Sequence, residues 1–443
     1  MEGQVQKEAA FTRDDLRNLW RILSPDERLE GFRLLPHDDA EEFFLSLAQG
    51  DLASLMLELP KNERRAWMRL LPPDDAADLV QHVPEAEREG LLALLDDTSR
   101  REVTALLAYA EDAAGGLMNP RYARLRPEMT VDEAIGYLRR QARSNVELIS
   151  YLYAIGDDQK LLGVVTFRQL FAAQPERTVR EVMRSDVLRV RDDQDQEEVS
   201  KIFAENDLIA LPVVDAEGRM KGIVTVDDIV DVVQEEATED IQKLGGMEAL
   251  EEPYLEIAFA RMLRRRGSWL AVLFLGELLT ASAMAYFEDE LARALVLSLF
   301  VPLIISSGGN SGSQASTLVV RAMSLGELGL GDWWRVVRRE LGAGLALGSL
   351  LGSLGFLRVV VWQSVWPGTY GEHAALIGAT VGLSLLGVVL FGTTAGSLLP
   401  FLFRRIGVDP ASASAPFVAT LVDVSGIVIY FGSASLILSG TLL

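Results

Sequence analysis

The chain of 443 residues has no cysteine and only three histidines, His37, His82 and His373. The first absence excludes disulfide bonds and thiolate metal ligands, and the second leaves soft and borderline metals without the ligands they prefer. None of the histidines falls within a long apolar run, so each reads as a surface or loop residue. The opening MEGQVQKEAAFTRDD has no apolar core and does not read as a secretion signal. A basic stripe is missing as well, which removes nucleic acid as a partner. No nucleophile stands beside a base and no zinc-type ligand set is present, so an enzyme is not expected.

What is present is unevenly distributed. Residues 1–250 hold 51 Asp and Glu against 30 Lys and Arg, whereas residues 251–443 hold 13 against 12. An acidic surface of that size selects cations as partners. The second half is apolar. A membrane-spanning helix needs about 20 mostly apolar residues, and five segments supply them, at roughly 269–287, 292–322, 341–362, 374–403 and 413–442. RMLRRRGSW, WWRVVRRE and FRRIG fall on one side of the resulting bundle, whereas FEDELAR and QSVWPGTYGEH hold only Arg293. Lys and Arg accumulate on the cytoplasmic side. The expected topology in the lipid bilayer is therefore N-terminus inside and C-terminus outside, in the cell's inner (plasma) membrane.

Within the second span the stretch SSGGNSGSQAST (306–317) is small and polar, and the fifth carries one carboxylate in VATLVDVSG. Polar groups at membrane depth are costly and face a cavity or a partner. Asn310 stands 11 residues before Arg321 and Asp423 stands 14 residues after Asp409, or about 16 and 21 Å at about 1.5 Å per residue, so both are expected near mid-membrane. Gly308, Gly309 and Gly312 are expected to loosen the helix and leave carbonyls facing water. Close helix packing is the alternative use of such residues. One Asp among Asn, Ser and carbonyl oxygens suits Mg²⁺, a hard ion that keeps several of its waters. Proton-coupled transport through Asp423 alone remains the rival. Glu277 and Arg358 also lie within spans and fit a pore, a pairing inside the bundle or an interface equally, so neither is assigned a role.

Two repeats organise the acidic half. PDERLEGFRLLPHDDAEEFFLSL and KNERRAWMRLLPPDDAADLVQHV align at an offset of 36 and share LLPxDDA, which predicts stacked helical hairpins with Asp as caps after Pro. DDQKLLGVVTFRQL and AEGRMKGIVTVDDI align at an offset of 59, each with a hairpin turn, an apolar strand and a helix start. These two modules resemble a CBS (cystathionine β-synthase) domain pair, and TVDD at 225–228 looks like the Thr-x-x-Asp of that family's nucleotide sites.

With EDAAGGLMNP (111–120), EEATEDIQKLG (235–245), SGGNSGSQAST and PFVATLVDVSG (416–426), nearly the whole chain resembles the MgtE family of magnesium channels. The resemblance implies a multidomain fold: an all-α superhelical N domain (1–115), a tandem α+β CBS pair (116–233), an acidic connecting or plug helix (234–266) and a five-helix transmembrane pore domain (267–443). It implies a homodimer with the pore between the two membrane halves, closed by the plug helix when intracellular Mg²⁺ is abundant. By position, Asp423 would bind hydrated Mg²⁺, with Asn310 and Ser313 in the segment beside it. Asp195, Glu197, Asp207, Asp228, Asp231, Glu236, Glu239 and Asp240 would form the regulatory Mg²⁺ sites, joined by Asp74, Asp75 and Asp78 of the N domain. Two departures stand out: Ser313 replaces a frequent second Asn, and Gln169 and Leu208 stand where an Asp and an aromatic ring would hold a nucleotide. The second departure argues against ATP as a modulator.

Overall fold

Proline and small polar residues punctuate the first part of the chain, and helices begin where they stand. The computed structural model describes residues 11–141, 148–250, 254 and 257–442, so parts of the connecting segment lie outside it. Eight helices follow one another through short turns: α1 (Arg13–Leu19), α2 (Pro25–Leu34), α3 (His37–Leu45), α4 (Gln49–Glu58), α5 (Lys61–Met68), α6 (Pro73–His82), α7 (Glu85–Leu92) and α8 (Asp97–Leu106). Thr12 and Ser24 cap α1 and α2 through capping boxes with Asp15 and Glu27. In both LLPxDDA motifs the expectation of Asp caps is corrected. Pro36 and Pro72 occupy the cap position without a side-chain bond, and the Asp pairs sit in the first turn, where their charge meets the positive end of the helix dipole. Helices α2 and α4, α4 and α6, and α6 and α8 pack on each other, the stacking that a helical repeat requires. Phe32, Phe43, Phe44, Met56 and Leu79 fill the shared core.

After α9 (Ala114–Leu117) come β1 (Tyr122–Leu125), α10 (Val131–Gln141), β2 (Leu148–Ile155), β3 (Leu161–Thr166), α11 (Phe167–Ala172) and α12 (Val179–Val182). The pattern repeats with β4 (Val190–Arg191), α13 (Gln196–Asn206), β5 (Ala210–Val214) and β6 (Met220–Thr225). Each three-stranded sheet pairs its first two strands in parallel and its last two antiparallel. Tyr151 pairs with Thr166 and Ala210 with Thr225, so both partners advance by the 59 residues read from the sequence repeat.

The remaining helices are α14 (Val226–Leu244), α15 (Phe259–Tyr286), α16 (Glu288–Arg293), α17 (Val301–Ser324), α18 (Trp333–Val365), α19 (Ala374–Arg405) and α20 (Ala415–Leu438). The chain divides into compact units at residues 233 and 234, inside α14. Five stretches are long and apolar enough to cross a membrane. Two differ in form from the expected spans. The second is not α-helical throughout, because Pro302 lacks the N–H that would continue the ladder, and Leu295–Phe300 turns as a 3₁₀ helix before α17. WWRVVRRE does not form a loop and instead makes the first turns of α18.

Candidate functional site

Helix α17 carries two faces of opposite character. Gly308 and Gly312 are buried against α19, and a Cβ on Gly312 would lie 2.7 Å from Val418 Cγ1 and 2.8 Å from the Gly392 carbonyl oxygen. Gly392 and Gly396 in turn approach the backbones of Gly308 and Gly312. The loosened helix expected from these glycines is therefore corrected: α17 is continuous, and its glycines let two backbones touch. The other face presents Ser306, Asn310, Gln314 and Thr317, all exposed, at the spacing of one helical stripe. Asn310 has no side-chain hydrogen bond among the described residues. Ser313, half-buried at the edge of that stripe, donates to the Ala415 carbonyl at 3.2 Å, and Ser316 donates to the Ala413 carbonyl at 2.6 Å.

Those bonds set the level of α20 against α17. Ser313 lies beside Ala415 and Gly309 beside Ala419. Continued along the antiparallel pair, with Val422 against Gly308, this places Asp423 level with about residues 305–307, about 5 to 7 Å nearer the far end of the bundle than Asn310. The offset agrees with the depths of about 16 and 21 Å expected from the sequence, and Ser306 and Ser307 are the polar residues of α17 near the level of the carboxylate. Asp423 is half-buried, and its carboxylate has no hydrogen bond or ion pair among the described residues. Gly276 of α15 packs on Thr420 of α20, and the neighbouring Glu277 acts on Asp423 electrostatically. Sequence reasoning left Glu277 unassigned, since only the packing of α15 on α20 brings it near. Arg358 belongs to a different place, beside Trp362 and Tyr370.

In the first unit the acidic residues take unequal parts. Asp74 is buried and accepts from Asn119 Nδ2 at 3.2 Å, so it ties α6 to the segment before β1. Asp75 is half-buried, and its pKa is pushed up to about 6 by burial, opposed by the 3.3 Å bond from Gln49 and reinforced by Asp227 and Asp231. Asp228, in the first turn of α14, accepts from N and Oγ1 of Thr225, the residue before that helix, at 3.1 and 2.8 Å. Burial raises its pKa to about 7 against those bonds, with Asp227 and Asp75 adding to the rise. Burial and Asp227 raise Asp231 as well. Four carboxylates, of Asp75, Asp227, Asp228 and Asp231, thus share one negative neighbourhood. Asp227 was not anticipated, though its place at the second position of α14 beside Asp228 was visible. Asp78 lies half-buried on α6.

The other predicted ligands have local structural duties. Asp195 caps α13 by accepting from Glu197 N at 2.8 Å, Glu197 pairs with Lys201 at 2.8 Å, and Asp207 ends the helix in a left-handed conformation, φ 49°. In the second unit Glu236 is half-buried, Glu239 pairs with Lys243, and Asp240 accepts from Ser324 Oγ at 2.9 Å. Among the described residues no three His, Asp or Glu side chains stand close enough to hold a bare metal ion. The donors are all oxygen, which suits a hard cation.

Comparison with known proteins decides the lineage. The family model for MgtE, a divalent cation transporter, matches residues 301–433, the MgtE intracellular N domain matches 12–112, and CBS domains match 114–176 and 179–235. The magnesium transporter MgtE of Thermus thermophilus is 44% identical over 345 residues, covering 78% of this chain and 74% of that protein. The chain belongs to the MgtE family. The Bacillus subtilis magnesium transporter MgtE is 33% identical over 343 residues, 77% of this chain and 73% of the relative. A crystal structure of the cytosolic domain of the Mg²⁺ channel MgtE in complex with ATP is similar at 42% identity and a TM-score of 0.47, over 50% of this chain and 90% of that one. At the two positions that depart from the nucleotide pattern, Gln169 Oε1 accepts from Thr166 N at 3.0 Å as part of the cap of α11, and Leu208 packs on the core of the first unit.

Proposed function

We propose that this MgtE-family chain is a Mg²⁺-selective channel, closed by intracellular Mg²⁺ acting on its acidic cytoplasmic part. The observation that carries the reading is Asp423, a carboxylate in an apolar span without a protein partner among the described residues, level with Ser306 on an α17 face whose polar stripe is exposed in one copy. A charge at that depth demands water, an ion or both. The exposed stripe supports a homodimer in which two such faces enclose the route. The cargo is a hydrated divalent ion, drawn by Asp423 and by hydroxyl and amide oxygens that replace part of its outer shell.

The closing step rests on electrostatics. Asp75, Asp227, Asp228 and Asp231 repel one another when ionised, and a divalent cation removes that cost. An ion that binds one arrangement better than another shifts the equilibrium toward it. The places of Gln169 and Leu208 support regulation without a nucleotide, which calorimetry with ATP checks.

In liposomes loaded with a Mg²⁺ indicator, Asp423→Ala is expected to lower flux by at least about tenfold, corresponding to about 1.4 kcal/mol of lost ion stabilisation. Flux at the parent rate would reject the reading. The second reading, a Na⁺- or H⁺-coupled transporter, is favoured by one observation, the electrostatic reach of Glu277 on Asp423, since paired carboxylates exchange protons readily. Currents that reverse at the Mg²⁺ equilibrium potential whatever the Na⁺ and H⁺ gradients exclude it.

A further inference from the structure

Arg358 is a charged residue in an otherwise apolar stretch of α18, seven residues before the last residue of that helix, Val365. That is about 10 Å from the helix end. Its guanidinium stacks on the Trp362 ring at 3.7 Å from the centroid, and Nη1 donates to the Tyr370 hydroxyl at 3.2 Å. Tyr370 is itself fixed: its ring is buried and meets Phe300 at 5.9 Å, and its backbone N–H donates to Gln363 Oε1 at 2.8 Å. Gln363 Nε2 donates in turn to the Gly371 carbonyl at 3.2 Å, so the whole turn after α18 is laced to the helix that carries Arg358.

The guanidinium is held but not neutralised. No carboxylate lies within ion-pair distance of Arg358 among the described residues, and the residue is exposed. Arginine does not discharge by losing its proton, so the charge persists at any depth. A guanidinium has five N–H donors in a planar fork, and one bond to Tyr370 leaves most of them unused. Trp362 and Trp366, with ring centroids 4.4 Å apart and 38% and 53% exposed, mark the level. Exposed tryptophans at the end of a span sit among lipid headgroups, and there the abundant anion is the phosphodiester.

We propose that Arg358, positioned by Tyr370 and Trp362, is a binding site for the phosphate of a phospholipid headgroup at the α18 end of the bundle. The remaining N–H donors take the phosphate oxygens as a fork, the geometry in which arginine surpasses lysine. The two tryptophans flank the glycerol and upper chain. The site lies away from Asp423 and does not depend on how the ion crosses.

The test uses the full chain in a phosphate-free maltoside detergent, titrated with short-chain phosphatidylglycerol while bound lipid is counted by native mass spectrometry. Parallel arms receive phosphatidylcholine, which shares the phosphodiester, and inorganic phosphate, which lacks the glycerol and chains. Both lipids are expected to bind, and Arg358→Gln is expected to weaken them by about tenfold, the effect of losing one charge-assisted fork. Arg358→Lys, which keeps the charge and the fold, should recover only part of that loss. Equal lipid binding by the parent and both variants would overturn the site, as would inorganic phosphate competing as well as phosphatidylglycerol at equal concentration. Should Arg358→Gln not be recovered folded, Tyr370→Phe, which removes the hydrogen bond that holds the guanidinium among the described residues, is expected to weaken lipid binding by a few-fold, and an unchanged affinity there counts against the proposal.

Discussion

Lys243, near the end of α14, is joined to Asp409 in the turn before α20 by a 2.5 Å ion pair, and Glu239 one turn back is its second carboxylate. Burial works against the ammonium, but Asp409 and Glu239 outweigh it and raise its pKa. The sign follows: the pair's contribution is complete at neutral pH and is lost only as pH rises above the ordinary lysine value of 10.5 through the raised one. Lys243→Met should free the end of α14 and quicken proteolysis at residues 245–250 by about fivefold, close to 1 kcal/mol for a partly exposed pair. Asp409→Asn should do the same, and combining the two should add little.

The raised pKa values of Asp75 and Asp228, about 6 and about 7, fix a pH dependence of the opposite kind from most carboxylates. A carboxyl that holds its proton more tightly when folded stabilises below its unfolded value near 3.8 and loses that contribution as pH rises through the folded value. Without divalent ions, thermal unfolding of the cytoplasmic part should therefore occur at lower temperature at pH 7.5 than at pH 5. On the order of 2 kcal/mol separates the two conditions. Asp75→Asn should flatten the profile, and Mg²⁺ at pH 7.5 should restore the midpoint. Scanning calorimetry with and without a chelator distinguishes these outcomes.

The glycines of α17 differ in what they tolerate. Gly312→Ala meets Val418 and the Gly392 carbonyl below 3 Å, whereas a methyl at Gly309 has 3.6 Å to Ala419. Overpacking of this kind costs about 1 to 3 kcal/mol. Detergent-solubilised Gly312→Ala should melt several degrees lower, and Gly309→Ala close to the parent.

Asn310 and Ser313 separate conduction from packing. Ser313 bonds α20, so Ser313→Ala should lose about 1 kcal/mol of stability. Asn310 bonds nothing among the described residues, so Asn310→Ala should melt like the parent while its Mg²⁺ flux falls. Melting and liposome flux measured on the same preparations separate the two effects.

Much of the architecture was legible because it repeats. The 59-residue offset between DDQKLLGVVTFRQL and AEGRMKGIVTVDDI returns as the same strand register in both sheets, since alternation and hairpin turns set register locally. Five apolar runs became five spanning stretches for the same local reason. The site was less legible. SSGGNSGSQAST shows that a helix is small and polar, but which face meets a neighbour depends on Gly392 and Gly396, some 80 residues away. Asp74 reads like Asp75 in PPDDAAD, and only Asn119, brought in by the tertiary fold, makes it a buried anchor. The offset between Asn310 and Asp423 was already present in their distances to the loop ends, about 16 and 21 Å, and the Ser313 bond to Ala415 keeps that order.

The backbone contact between α17 and α19 has a mechanical consequence. Two rods keyed at Gly308 with Gly392, and again at Gly312 with Gly396, cannot roll or slide past each other without colliding. Widening of the proposed ion route beside Asn310 would then carry both helices as one piece, and α15, whose apolar stretch is nearly all exposed, is the spanning helix least encumbered by neighbours.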